Sequence, residues 1–345
     1  MSDETRYQAL LTRALETIKQ LEADKQASAQ ALADARRETR DRDAIAVIGV
    51  GCRLPGEVTG PDSYWSLLCQ GRDGIVPVPA DRWDRDAWYD PDPTIAGKMV
   101  TRRGGFLSDV DRFDHQLFAM TPKEARGTDP QHRLLLEVCW QALEDAGLDP
   151  LGQKDRRAGV FVGINGNDHG LLVARDPTDI DAYTGAADVA SGAPGRVSYL
   201  LGLTGPSIAL DAACASSLVS VHLACQALRS DECELALAGG VNLMLTPEAS
   251  VFMSRTGALS EDARCKAFDA AANGIGRGEG AGVVVLKRLS EALADGDRVR
   301  AVIAGSAVNQ DGASNGFTVP NPEAQKAVIE QALLRSGLRA ELVDY

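Results

Sequence analysis

No Cys-x-x-Cys pair occurs in the 345 residues, and the seven cysteines form no cluster with the four histidines at metal-ligand spacing. That pattern argues against a structural zinc or a disulfide framework and fits a reduced, cytoplasmic protein. No apolar run approaches the roughly 18 residues that a membrane span needs. The N-terminus, Met1-Ser2-Asp3-Glu4-Thr5-Arg6, opens a polar stretch and not an apolar signal region. Positive charge is in deficit, with a formal net charge of -13. Residues 1–42 hold eight acidic and eight basic side chains, so the whole excess lies on residues 43–345. An acidic body repels a phosphate backbone, and the sequence shows no local basic patch that would favour nucleic acid. Tandem repeats at solenoid spacing and low-complexity tracts are also missing. What is present, 44% hydrophobic and 25% charged residues, fits a soluble globular protein of one large or two ordinary domains.

Glycine and proline are absent from Met1 to Ile48, and Thr5 to Arg40 is rich in Ala, Leu, Glu, Lys, Gln and Arg. This is strong helix composition. Tyr7, Leu11, Ala14, Ile18 and Leu21 follow a heptad a/d pattern that continues through Lys25, Ser28, Leu32 and Ala35 with a polar third heptad. The spacing predicts a coiled-coil segment over residues 1–42, which favours a helical partner. After the charge run Arg40-Asp41-Arg42-Asp43 the composition changes. Ala44–Gly51 reads as a strand covered on both faces. Further strands are predicted over Ala158–Ile164, Pro206–Asp211, Leu235–Asn242, Gly282–Leu289 and Val302–Asn309. Helices are predicted over Pro130–Ala146, Cys214–Arg229 and Pro322–Ser336. Strands interleaved with amphipathic helices specify an α/β sheet covered on both sides.

Cys214 concentrates the chemistry. It stands in Asp211-Ala212-Ala213-Cys214-Ala215-Ser216-Ser217-Leu218, between an apolar strand and a predicted helix. A cysteine at a helix N-terminus faces free backbone N–H groups and the positive end of the helix dipole, and both favour the nucleophilic thiolate. The small neighbours let the turn pack closely and leave the sulfur accessible, which is the logic of a nucleophile elbow. The glycine run Gly274-Ile275-Gly276-Arg277-Gly278-Glu279-Gly280 precedes a strand and does not link strand to helix. It therefore does not read as a nucleotide loop. Glu279 reads as a buried, hydrogen-bonded carboxylate near the site.

Several ordered segments resemble one family. They are Ile45–Gly56, Tyr64-Trp65-Ser66-Leu67-Leu68, Arg82-Trp83-Asp84, Gly104-Gly105-Phe106-Leu107 and Asp129–Glu137. After the cysteine segment come Arg264-Cys265-Lys266-Ala267-Phe268-Asp269, Gly278-Glu279-Gly280 and Val308–Thr318. Over residues 43–345 the chain resembles the β-ketoacyl synthase (ketosynthase) domain of modular type I polyketide synthases, and residues 1–42 resemble its coiled-coil docking segment. The resemblance implies a thiolase-like αβαβα layered fold and a homodimer. It implies decarboxylative Claisen condensation, with Cys214 taking an acyl chain from 4'-phosphopantetheine on an acyl carrier protein. It implies no directly bound cofactor or metal, and an N-terminal helix that receives the C-terminal helix of an upstream synthase subunit. Backbone N–H donors and, in the family, two histidines and a lysine would stabilise the enolate and oxyanion.

The departures carry expectations of their own. The family's first catalytic histidine follows a Val-Asp-Tyr strand, and the sequence stops at Val343-Asp344-Tyr345. His115, His132, His169 and His222 stand in unrelated contexts, so the chain is expected to lack these helpers and to be inactive in condensation by itself. His222 reads as a satisfied core histidine, His115 and His132 as local hydrogen-bonding residues, and His169 as a loop residue. Ala212 and Ala215 replace the usual Thr and Ser. Thr128 replaces a methionine, at a position expected near the acyl pocket and dimer seam. Cys214, where loading variants carry glutamine, points to an elongating enzyme. Two other readings stay open at this level: a non-catalytic docking or scaffold half-domain, and another cysteine acyltransferase of the thiolase superfamily.

Overall fold

The apolar run Ile45–Arg53 forms a strand, β1, that is buried along nearly its whole length. Alternate side chains serve opposite faces, as a strand's period of two requires. Ala46 and Ile48 enter one core cluster, and Ile45 and Val47 enter another. The computed structural model describes residues 19–20, 25–26, 43–173, 178, 189–316 and 318–345. Apart from two residue pairs, the coiled-coil segment expected over residues 1–42 lies outside the described residues. All elements named below belong to the unit Ala44–Tyr345.

After β1 come α1 (Pro61–Cys69), the antiparallel pair β2 (Ile75–Pro77) and β3 (Arg103–Gly105), then α2 (Pro122–Gly127) and α3 (Pro130–Asp145). The chain continues through β4 (Ala158–Gly163), α4 (Asp168–Val173), α5 (Gly192–Leu201), β5 (Ser207–Leu210) and α6 (Ser216–Arg229). It then forms β6 (Leu235–Asn242), α7 (Glu248–Arg255), β7 (Gly280–Arg288), α8 (Leu289–Asp295), β8 (Ala301–Ile303) and α9 (Pro322–Ser336). Six strands make a mixed sheet in the order β5-β4-β6-β7-β1-β8. β4 is parallel to both β5 and β6, whereas β7 runs antiparallel to β6 and β1. No helix among the described residues is long and apolar enough to cross a membrane.

Helices cover both sheet faces. α3 starts at Asp129, whose carboxylate accepts the Gln131 N–H at 2.7 Å, with Pro130 at the first helical position. Its buried side chains Leu135, Leu136, Val138, Cys139, Ala142 and Leu143 recur at helical spacing and pack with α5 on one face. A side chain at Gly49 would place its Cβ 2.3 Å from the Ala142 carbonyl oxygen, so glycine is what lets α3 lie on β1. The β1 register shifts between Val47 and Gly49. There the Val50 N–H finds Asp145 at 2.8 Å, and Asp145 is also paired with Arg300. α6 covers the other face with Ala224, Cys225, Ala227 and Leu228, opposite Ala236 and Ala238 of β6. α9 joins α6 through Ser306, which accepts Arg335 at its carbonyl and meets His222 at its hydroxyl.

The expected α/β sheet is therefore present, and the strand Leu235–Asn242 and the helix Pro322–Ser336 have the predicted bounds. Two predictions need correction. The strand expected over Val302–Asn309 stops at Ile303, because only Ala301–Ile303 find partners on β1. The helix expected from Cys214 begins at Ser216, after a 3-10 turn over Ala213–Ala215.

Candidate active site

The Cys214 elbow is built by the backbone. β5 delivers the chain to Asp211, whose carboxylate accepts the Ala213 N–H at 2.9 Å. Ala213 then adopts φ 50°, a left-handed conformation that costs a residue with a Cβ roughly 1–2 kcal/mol. Ser216 locks the turn from the other side. Its hydroxyl accepts the Ala212 N–H at 2.9 Å and donates to the Ala213 carbonyl at 2.7 Å. No side chain caps the N-terminus of α6. Its first amides, which follow the turn that carries the thiol, are therefore left without a side-chain cap.

Close packing sets the height of the elbow above the sheet. A Cβ at Gly163, the last residue of β4, would fall 2.6 Å from the Ser216 carbonyl carbon. Ser220 anchors the next turn, donating to the Gly239 carbonyl of β6 at 2.8 Å. Cys214 thus stands over the carboxyl ends of the parallel strands β4 and β6, where open α/β sheets present their ligands. It is exposed and lines a cleft of about 530 Å³. Asn165 follows β4, Asn242 ends β6, Met253 projects from α7, and Gly276–Gly282 leads into β7 along the same cleft.

The other cysteines occupy different chemical settings. Cys52, Cys139, Cys225 and Cys233 are buried. Burial pushes the Cys139 thiol up to about 12 and those of Cys225 and Cys233 up to about 11, which keeps them protonated. Cys69 and Cys265 are exposed but do not line the cleft.

None of the histidines lines the cleft either. His115 meets the Met120 carbonyl at 2.9 Å, a local contact as expected. His222 is half-buried on α6 and meets Ser306 at 2.8 Å. His132 departs from expectation. It is 1% exposed, and neither ring nitrogen has a hydrogen-bond partner among the described residues. Burial, then Arg196 and His169, hold its imidazole down to about 4. His169 lies on α4 and not in a loop. Thr128 ends α2, fully buried, with its hydroxyl on the Glu124 carbonyl at 2.8 Å, and it does not line the cleft.

Glu279 is buried and hydrogen-bonded, as its setting in the sequence suggested. Its partner Arg82, 197 residues away, was not foreseeable from spacing. Asn165 and Met253 were missed for the same reason: only folding brings them to the cleft.

Residues 42–292 match the N-terminal domain of β-ketoacyl synthase, and residues 300–345 match its C-terminal domain. The chain belongs to the β-ketoacyl synthase family. This ketosynthase chain is 54% identical over 303 residues to one of the phenolphthiocerol/phthiocerol polyketide synthase subunits of Mycobacterium tuberculosis, covering 88% of the chain and 20% of that protein. It is 50% identical over 341 residues to another, longer subunit of the same synthase, covering 98% of the chain and 15% of that protein. Among solved structures, it resembles the oxazolomycin ketosynthase domain OzmH KS7 of Streptomyces albus JA3453 with a TM-score of 0.79 and 44% identity. That match covers 86% of this chain and 51% of the other. The module 6 ketosynthase of the bacillaene synthase from Bacillus subtilis 168 gives 0.77 and 40%, covering 86% and 49%. The ketosynthase chain thus spans about half the length of these solved chains and a fifth or less of the curated relatives. Its fold is the thiolase-like α/β fold of ketosynthases, and the described residues build one six-stranded sheet with its two helical faces, beside the separate pair β2–β3.

Proposed function

We propose that Cys214 is the acyl-accepting nucleophile of a ketosynthase that elongates polyketide chains. One observation carries the reading: an exposed thiol on a hydrogen-bonded, left-handed elbow, lining a cleft over the strand ends. The Cys214 thiolate attacks a thioester carbonyl on the 4'-phosphopantetheine of an acyl carrier protein. A Cys–acyl thioester forms and the pantetheine thiol leaves. A malonyl-type unit on a second carrier then loses carbon dioxide, and its enolate carbon attacks the acyl carbonyl. The new carbon–carbon bond expels the Cys214 thiolate and leaves a β-ketoacyl chain on the carrier. Amides at the start of α6 are suited to the oxyanion that develops in both attacks.

The test is the mass of the chain after incubation with an acyl-pantetheine thioester. We expect one acyl group, mapped to Cys214, and none in Cys214→Ala. Equal acylation of the alanine variant would refute the assignment.

The same reading includes two partners of another kind. Among the described residues β5 is an edge strand and exposes Ile208, which supports a homodimer formed through that edge. The heptad pattern of residues 4–40 supports a parallel coiled coil that receives the C-terminal helix of an upstream synthase subunit.

A further inference from the structure

Glu279 is the only carboxylate among the described residues lining the Cys214 cleft, yet its side chain is 0% exposed. It borders the cleft with its backbone and turns its carboxylate inward. There it collects four donors. Oε1 accepts Arg82 Nε at 3.2 Å and the Met244 N–H at 2.9 Å. Oε2 accepts Arg82 Nη2 at 3.3 Å and the Leu107 N–H at 2.8 Å. Arg82 is itself 5% exposed and also donates to the Leu107 carbonyl at 3.1 Å. One buried ion pair therefore ties together the loop before Trp83, the segment after β3 and the segment after β6.

The backbone on either side of Glu279 forms one wall of the cleft. Its own N–H donates to the Gly105 carbonyl at 2.7 Å, Gly105 N–H donates to the Arg277 carbonyl at 3.0 Å, and Asn242 Nδ2 donates to the Gly278 carbonyl at 2.8 Å. Packing holds this wall at Gly276, where a Cβ would fall 1.9 Å from the Ala263 carbonyl oxygen, but not beside Glu279. Gly278 has no side chain, and a Cβ built there would meet only the Gly105 carbonyl oxygen, at 3.9 Å. Around Gly278 hydrogen bonds hold it, those of the backbone and Asn242 together with those that converge on the Glu279 carboxylate.

The geometry points to Glu279, paired with Arg82, as a positioning residue: it fixes the glycine wall of the cleft and thereby sets how a thioester is held against the Cys214 thiol. This inference rests on the acyl-accepting role proposed above. Its sharpest consequence concerns the amide isostere. Each carboxylate oxygen receives a backbone N–H, whereas glutamine offers one oxygen and one NH2 group. In Glu279→Gln either Leu107 or Met244 is left donor against donor, and Arg82 loses its buried counter-charge and keeps only the exposed Asp81 carboxylate at 3.1 Å.

The experiment compares the parent chain, Glu279→Gln and Arg82→Gln in two reactions at Cys214. One is acylation by an acyl-pantetheine thioester over a range of concentrations. The other is alkylation by iodoacetamide, which is too small to need the wall. We expect Glu279→Gln to lower the acylation rate constant by about 10- to 100-fold, as misplacement of a bound reactant does. Alkylation should stay within about twofold, because the elbow is built by Asp211 and Ser216. Arg82→Gln, which keeps both backbone donors to Glu279, should show the same split more weakly, and it replaces Glu279→Gln if that variant does not fold. Parallel loss of both reactions would reduce Glu279 to general stability, and unchanged acylation would overturn the inference alone. A parent chain that takes no acyl group at Cys214 would overturn the acyl-accepting role and this inference with it.

Discussion

His132 shows what a single buried group costs. Its imidazole is neutral in the fold, held down to about 4 from an ordinary 6.5, chiefly by burial and secondarily by Arg196 and His169. In the unfolded chain it binds a proton through the ordinary range, so between these values the unfolded state holds more protons. Stability from this group is present above the unfolded value and is lost as pH falls toward 4, by on the order of 3 kcal/mol in full. With both ring nitrogens unpartnered among the described residues, an apolar replacement gives up no hydrogen bond there. His132→Leu should therefore stay within about 1 kcal/mol of the parent at neutral pH, and should be more stable by roughly 2 kcal/mol near pH 4.5. Urea midpoints at the two pH values decide the matter. A gap between the variants that does not change with pH would contradict it.

At the scale of elements, the site depends on how closely α6 sits on β4. The contact is backbone against backbone at Gly163, so a methyl group there cannot be absorbed by turning a side chain. Gly163→Ala should cost about 1–3 kcal/mol by overpacking. It should also slow Cys214 acylation, because the start of α6 moves away from the sheet with Ser216 and the elbow. Thermal unfolding and the acylation rate, measured on the same preparation, test both parts. A fully stable and fully reactive variant would mean that α6 is not seated as described. The glycines and alanines facing α6 were legible as small residues, but their purpose was not. Only the layered structure shows which of them lie under a helix.

For the whole molecule, the β5 edge and the heptads of residues 4–40 make separable predictions. The chain should be dimeric by light scattering. Ile208→Lys, which places a charge at the β5 edge, should weaken the dimer while leaving the heptad residues intact. Leu11→Asp with Ile18→Asp should abolish capture of an upstream subunit's C-terminal helix without changing the sheet. If Ile208→Lys leaves the mass unchanged and the heptad variant makes it monomeric, the edge does not hold the dimer. Capture that survives the heptad variant would remove the docking role.

The sequence by itself determined the local pattern: a doubly covered strand at Ala44–Gly51, the helices that start at Pro130 and Pro322, and a thiol between a strand and a helix. Those features follow from hydrophobic period and small side chains, which act over a few residues. Tertiary structure decided what depends on distant partners. The strand order β5-β4-β6-β7-β1-β8 does not follow the chain, and β8 ends at Ile303, opposite Ile45, where β1 begins and the next carbonyl, of Ala44, is taken by Leu289. The helix that follows the thiol starts two residues later than predicted because Asp211 and Ser216 satisfy the turn's amides and carbonyl while β4 presses against it. Arg82 and Glu279 meet across 197 residues because the fully buried Glu279 carboxylate leaves water only when a cation neutralises it, a condition that no local spacing records.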